Sequence, residues 1–190
     1  MGYALDLAEI CIDTREQLPY YAKSPRTTLA TGDFSLVGYE HRIAIERKSV
    51  PDAFGSVGKG RWRFMREWGR LALMDWAAVV IEGTRDEVLD WAPPVRRKGH
   101  RLSGQSVIGS LDIWSIFYGV PVHFEHGRMA CKRLVPRLLK IAREYVDADF
   151  SHKHNRAICV TCGGGDWVPH RTGCDDKTLI GHWGRHGDKW

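Results

Sequence analysis

Residues 32–52 read GDFSLVGYEHRIAIERKSVPD, and the reading turns on one strand. The apolar run Arg42–Glu46 reads as extended chain, whose side chains alternate between two faces. Glu46 and Lys48 are two apart and share a face, while Arg47 takes the other unless the strand bends there. Asp33 arrives from a preceding turn. Two carboxylates and an amine so placed form a compact site for a divalent cation, with Asp33 and Glu46 as hard oxygen ligands suited to Mg²⁺. A cation there lowers the pKa of a coordinated water and neutralises a phosphate beside it. Lys48 then positions that water or stabilises charge in the transition state. A surface strand ending in ordinary charges would carry the same letters, so spacing alone leaves both readings open.

Working outward, three more apolar runs read as strands: Glu9–Asp13, Ala77–Glu82 and Val120–Phe124. Helical spacing fills the segments between them. Arg61–Trp76 sets Trp62, Met65, Trp68, Leu71 and Ala72 near one face, and Val107–Tyr118 does the same with Val107, Leu111, Trp114 and Tyr118. A last long helix spans Arg128–Tyr145, with Pro136 expected to kink or restart it. Alternating strands and helices predict an α/β domain with a mainly central sheet. Residues 20–32 and 91–104 read as the two prominent loops. Residues 147–156 are polar and aperiodic, which predicts a linker between a domain at 1–146 and a tail at 157–190.

The chain of 190 residues is 43% hydrophobic and 27% charged, which places it with folded proteins and not with disordered ones. Its formal charge of +5 and sequence pI of about 9.0 fit a polyanionic partner without demanding one. No stretch approaches the roughly 20 apolar residues of a membrane span. The first residues lack a secretory pattern, and Asp6 stands where a myristoylation signal needs Ser or Thr. An intracellular, cytoplasmic protein without a membrane partner is therefore expected. Five cysteines, an odd number, argue against a disulfide framework, and Cys11 in its apolar run is expected to be buried.

The tail is different. Cys159 and Cys162 form a C-x₂-C pair, half of a tetrahedral Zn²⁺ site. His170 with Cys174 would complete it as Cys₃His, and His182 with His186 are the alternative as Cys₂His₂. The segment carries seven glycines and few aliphatic residues, so a structural zinc is the expected staple. Basic residues gather in two places. Lys59, Arg63, Arg66 and Arg70 recur at helical spacing, as either a track along a phosphate backbone or a solvated face. Arg96, Arg97, Lys98 and Arg101 crowd the second loop without an acidic neighbour and are expected to contact the backbone phosphates of a polyanionic partner.

The run Gly32-Asp33, then Glu46-Arg47-Lys48 with Asp52 four residues beyond, resembles the GD…ERKxxxD signature of the XPF-type structure-specific nucleases. The resemblance extends, in order, through Ile12-Asp13-Thr14-Arg15-Glu16, Gly60-Arg61 and Arg63-Phe64 with Glu67, Val80-Ile81-Glu82-Gly83, and Gly119-Val120-Pro121-Val122. It implies a restriction-endonuclease-like fold, a mixed central sheet flanked by helices, that hydrolyses DNA phosphodiesters with Mg²⁺ or Mn²⁺. It further implies acidic metal-site roles for Asp13, Asp33 and Glu46, and a phosphate contact or a bracing role for Arg47. Lys48 would assist the chemistry, and Asp52 would orient neighbours or a metal water. Arg15, Glu16 and Arg63 carry over more loosely, Arg15 and Arg63 as DNA contacts. The tandem helix-hairpin-helix module of larger members is missing from these residues, so a preference for branched or flapped DNA rests on analogy. The expectation is an endonuclease of repair, recombination or phage genome processing, at the nucleoid or in a phage-infected cell, with a homodimer as a further expectation. The alternative is a catalytically silent DNA-binding or scaffold module of the same fold.

Overall fold

The computed structural model describes residues 5–92 and 102–148, together with the backbone pairing of residues 158–159 with 179–180. Its elements run β1 (Ile10–Asp13), β2 (Arg26–Thr27), β3 (Phe34–Leu36), β4 (Ile43–Ser49), α1 (Val50–Val57), α2 (Arg61–Leu71), β5 (Trp76–Glu82), α3 (Arg85–Asp90), α4 (Gly104–Tyr118), β6 (Val122–Phe124) and α5 (Gly127–Asp147). Ile158–Cys159 (β7) and Leu179–Ile180 (β8) pair antiparallel. The main sheet has six strands in the order β2-β1-β3-β4-β5-β6. The pairs β1–β3 and β3–β4 are antiparallel, while β1–β2, β4–β5 and β5–β6 are parallel. This is the mixed, helix-flanked sheet that the sequence predicts.

Alternation along β4 and β5 builds two cores. Ile43 and Ile45 of β4 and Val80 of β5 face α5, where they meet Cys131, Val135, Leu138 and Leu139. Ala44, Val79 and Ile81 face the other way, into α1, α2 and α4, against Phe64, Trp68, Leu111, Trp114 and Tyr118. Parity therefore gives Glu46 and Lys48 to the α1–α4 side and Arg47 to the α5 side. The core positions predicted on α4 are all buried. On α2 the buried large side chains are Phe64, Met65, Trp68 and Leu71, and Trp62 remains 38% exposed. The seam is thus read from Phe64 and not from Trp62.

Several boundaries depart from expectation. Strand β4 continues past Glu46 because its parallel ladder with β5 runs on to Ser49, opposite Glu82. Helix α2 ends at Leu71, since Trp76 is already in β5 and donates its N–H to Arg42 O at 3.0 Å. Two strands of the main sheet and two of the α-helices beside it had gone unread. The strands β2 and β3 are only two and three residues long. The helices carried start signals: Ser49 caps α1 at Asp52 N, and Thr84 and Glu87 close a capping box on α3. The close approach of α3 and α4 requires Gly104, where a Cβ would sit 2.3 Å from Val88 O.

Pro136 does not restart α5, which runs as one helix over Gly127–Asp147. A proline inside a helix removes the donor for the carbonyl four residues earlier, here that of Lys132. The buried Tyr21 hydroxyl donates to that carbonyl at 2.5 Å, filling the gap from the adjoining loop.

Candidate active site

The site begins at Gly32. Its φ of +78° favours glycine, and a Cβ would lie 3.0 Å from Ile45 O and 3.2 Å from Ala44 Cβ. Only a bare Cα lets this turn press against β4. Asp33 is then pinned by its backbone: its N–H donates to Ile45 O at 2.8 Å, and its carbonyl accepts from Asp13 N at 2.9 Å. Its carboxylate accepts the N–H of Arg47 at 2.8 Å. Asp33 and Glu46 are thereby brought together at the head of the sheet.

The pair is electrostatically uncomfortable. Burial pushes the Glu46 carboxyl well above its usual range, and the charges of Asp33 and Glu67 push it further, against the opposing pull of Lys48. Burial likewise pushes Asp33 up to about 7, aided by the charge of Glu16 and opposed by the Arg47 N–H. Lys48 forms an ion pair with Glu46 and stands 3.7 Å from Glu67 on α2, with its ammonium 5.0 Å from the centre of the Phe64 ring. Burial alone would lower the Lys48 pKa, but the carboxylates of Glu46 and Glu67 hold it above the usual value.

These groups open into a cleft of about 650 Å³. Asp13, Arg15, Asp33, Glu46, Arg47, Lys48, Asp52, Arg63, Glu67 and Arg70 all line it. A second groove of about 570 Å³ adjoins it through Lys48, Asp52 and Arg63 and adds Lys59 to the wall. Arg66 is half-buried on α2 and lines neither, and Lys59 sits in the turn before α2 instead of on the predicted helical stripe. Arg96, Arg97, Lys98 and Arg101 lie outside the described residues, as do Cys162, His170, Cys174, His182 and His186. Cys159 is described only by its backbone pairing in β7.

Asp13 differs from the other two acids. Burial would raise its pKa, yet Arg15 donates to both carboxylate oxygens (2.7 and 2.9 Å), and the N–H groups of Arg15 and Leu29 add bonds of 2.7 and 2.8 Å. The balance holds Asp13 below the usual carboxylate value. Arg15 remains largely exposed in the cleft wall while doing so. Asp52 accepts a 2.6 Å hydrogen bond from the Ser49 hydroxyl at the start of α1.

Arg47 sits on the α5 side with only 9% of its side chain exposed. It bonds Glu16 at 3.2 Å and Glu82 at 3.1 Å, and Tyr20 and Arg128 also donate to Glu82, at 2.8 and 3.2 Å. Arg128 reaches on to the carbonyls of Leu18 and Pro19. Tyr20 and Arg128 escaped sequence reading because they come from a loop and a distant helix with no spacing signal. Glu67 had one: Arg63, Glu67 and Arg70 recur at steps of four and three, the period of one helix face.

Among the described residues no group of three or more His, Cys, Asp or Glu side chains is arranged to hold a metal ion. The Asp33–Glu46 pair nevertheless has the chemistry of a small hard-cation site. Two oxygen ligands that repel one another meet an open cleft, and Mg²⁺ characteristically takes one or two carboxylates and completes its shell with water and substrate phosphate. Thr31, in the cleft wall beside them, keeps a buried hydroxyl with no partner.

The ERCC4 domain family model matches residues 12–138. Among solved structures, XPF from Aeropyrum pernix matches with a TM-score of 0.53 and 21% identity, over 74% of this chain and 68% of that one. XPF from Aeropyrum pernix in complex with DNA matches with a TM-score of 0.52 and 21% identity, over 71% and 64%. The chain thus spans about two thirds of the length of these neighbours. No curated protein matches it. At this identity the structural likeness concerns the fold.

Proposed function

The chain belongs to the ERCC4 domain family, the XPF-type DNA nucleases, and from that premise we propose that it is a divalent-metal-dependent endodeoxyribonuclease. The observation that carries the proposal is the crowding of two buried carboxylates and one lysine at the head of an open, arginine-flanked cleft. Asp33 and Glu46 would hold Mg²⁺ or Mn²⁺, which when bound polarises the scissile phosphate and makes water a better nucleophile at neutral pH. Lys48 presents its ammonium to the cleft, where it stabilises charge developing on the phosphate. Arg15, Arg63 and Arg70 line the approach and hold the strand by its phosphates, independently of base sequence. Arg47, clamped by Glu16 and Glu82, braces the strand that carries Glu46 and Lys48 and offers its backbone N–H to Asp33. Asp13 anchors Arg15, and Asp52, held by the Ser49 hydroxyl in the first turn of α1, lies at the boundary of the two grooves.

The finer assignments rest on the family and on the sequence pattern. Branched or flapped duplex is the proposed substrate, in repair, recombination or phage genome processing, with a homodimer as the working unit. Residues 1–146 are the nuclease domain, 147–156 the linker and 157–190 a zinc-binding tail held by Cys159, Cys162, His170 and Cys174, or with His182 and His186 as the second pair. About one zinc per chain, lost in Cys162→Ser, is the result expected of metal analysis on the purified protein. Among the described residues no helix is long and apolar enough to cross a membrane.

The function is tested by incubating end-labelled duplex, single-stranded, flap, fork and four-way-junction DNA with the full chain and Mg²⁺ or Mn²⁺. Cleavage of one branched form above the others is expected. Binding without cleavage under every metal condition would point instead to a silent DNA-binding module.

A further inference from the structure

Resting on the metal-site reading above, the geometry points to Glu67 as a positioning residue that receives Lys48 when a divalent cation is taken up by Asp33 and Glu46. Three contacts carry this. Lys48 is paired with Glu46, so its ammonium occupies the carboxylate that a cation would need. Glu67 Oε2 stands 3.7 Å from the same ammonium, with 22% of its side chain exposed, close enough to be reached by a small rotation of the lysine chain. Phe64 and Glu67, three residues apart on α2, share a helix face, and the Phe64 ring lies 5.0 Å from the ammonium.

A dication and an ammonium cannot share one buried carboxylate cheaply, because like charges a few ångströms apart repel strongly away from water. Lys48 must therefore leave Glu46 or weaken the site. Without a second acceptor it would swing into the cleft with no fixed place. Glu67 gives it one, and keeps the ammonium in the same wall, facing where a phosphate would lie. In this arrangement Lys48 is a counter-ion of Glu46 in the empty site and a ligand-facing cation in the loaded one. Glu67 sets the balance between the two.

The exchange is read by calorimetric titration of Mn²⁺ and Mg²⁺ into the full chain and its Glu67→Gln, Lys48→Met and double variants, without DNA. Folding of each is checked by circular dichroism. Glu67→Gln is expected to weaken cation binding by about tenfold when Lys48 is present, and to leave it unchanged in the Lys48→Met background. An equal loss in both backgrounds would overturn the proposal, because Glu67 would then be holding the cation itself. No loss in either would also overturn it, because Lys48 would then keep one oxygen of Glu46 while the cation takes the other. A Glu46→Gln control that binds cation as well as the parent would instead remove the metal site, and the exchange with it.

Discussion

Asp33 owes its place to the residue before it and its chemistry to what surrounds it. Gly32 adopts a left-handed φ with backbone 3.0 Å from where a Cβ would be. Gly32→Ala should cost about 1–2 kcal/mol in urea unfolding and depress cleavage by displacing Asp33. Asp33 itself binds its proton more tightly in the fold, at about 7, than at its ordinary value of 3.8. The folded state therefore binds more protons than the unfolded one across that interval, so stability in chelator falls as pH rises from about 4 to about 7. Asp33→Asn removes this part of the slope, and above pH 7 the variant should melt higher than the parent, each 1 kcal/mol being worth about 2–4 °C. A melting curve of Asp33→Asn below that of the parent at pH 8 would show that the carboxylate is not strained. Two acids of like type thus behave differently for physical reasons: Asp13, bonded on both oxygens by Arg15, sits below its ordinary value, while Asp33 sits above.

Among the elements, β4 was the most legible, because a two-residue period needs only one strand to be right. Glu46 and Lys48 fall on one side and Arg47 on the other, where Glu16 and Glu82 receive it. The short strands β2 and β3 were not legible, since two or three residues carry no period. Their places are set by the ladder with β1 and by the Gly32 turn. Helix α5 shows the opposite failure, a local rule overridden from outside. Pro136 leaves Lys132 O without its helical donor, and the Tyr21 hydroxyl supplies one. Tyr21→Phe should therefore destabilise the fold by about 1–2 kcal/mol, the cost of a buried carbonyl left unpaired. Pro136→Ala in the same background should recover most of that loss, as the helix regains its own bond. If the two changes simply add, the hydroxyl is not serving the proline gap.

At the scale of the whole molecule, one sheet separates two tasks. The α5 side braces Arg47 through Glu16, Glu82, Tyr20 and Arg128, and the α1–α4 side presents Glu46, Lys48 and Glu67 to the cleft. The nearness of Asp33, Glu46 and Lys48 was legible because they sit on one strand and the turn facing it. Among the bracing groups Glu16 and Glu82 fell within the resembling segments, but Tyr20 and Arg128 did not, because only the folded chain brings them to Glu82. Arg63 and Arg70 flank the cleft, so Arg63→Ala and Arg70→Ala should each weaken binding alike for every DNA sequence. Each should also reduce the slope of log affinity against log salt by about one, as measured by fluorescence anisotropy. The proposed function requires that Glu46 serve the hydrolysis and not the fold. It is tested most directly by single-turnover cleavage of the preferred branched DNA by Glu46→Gln, with DNA affinity measured in parallel. Cleavage is expected to fall about a hundredfold or more with affinity nearly unchanged. Cleavage at the parent rate would contradict it.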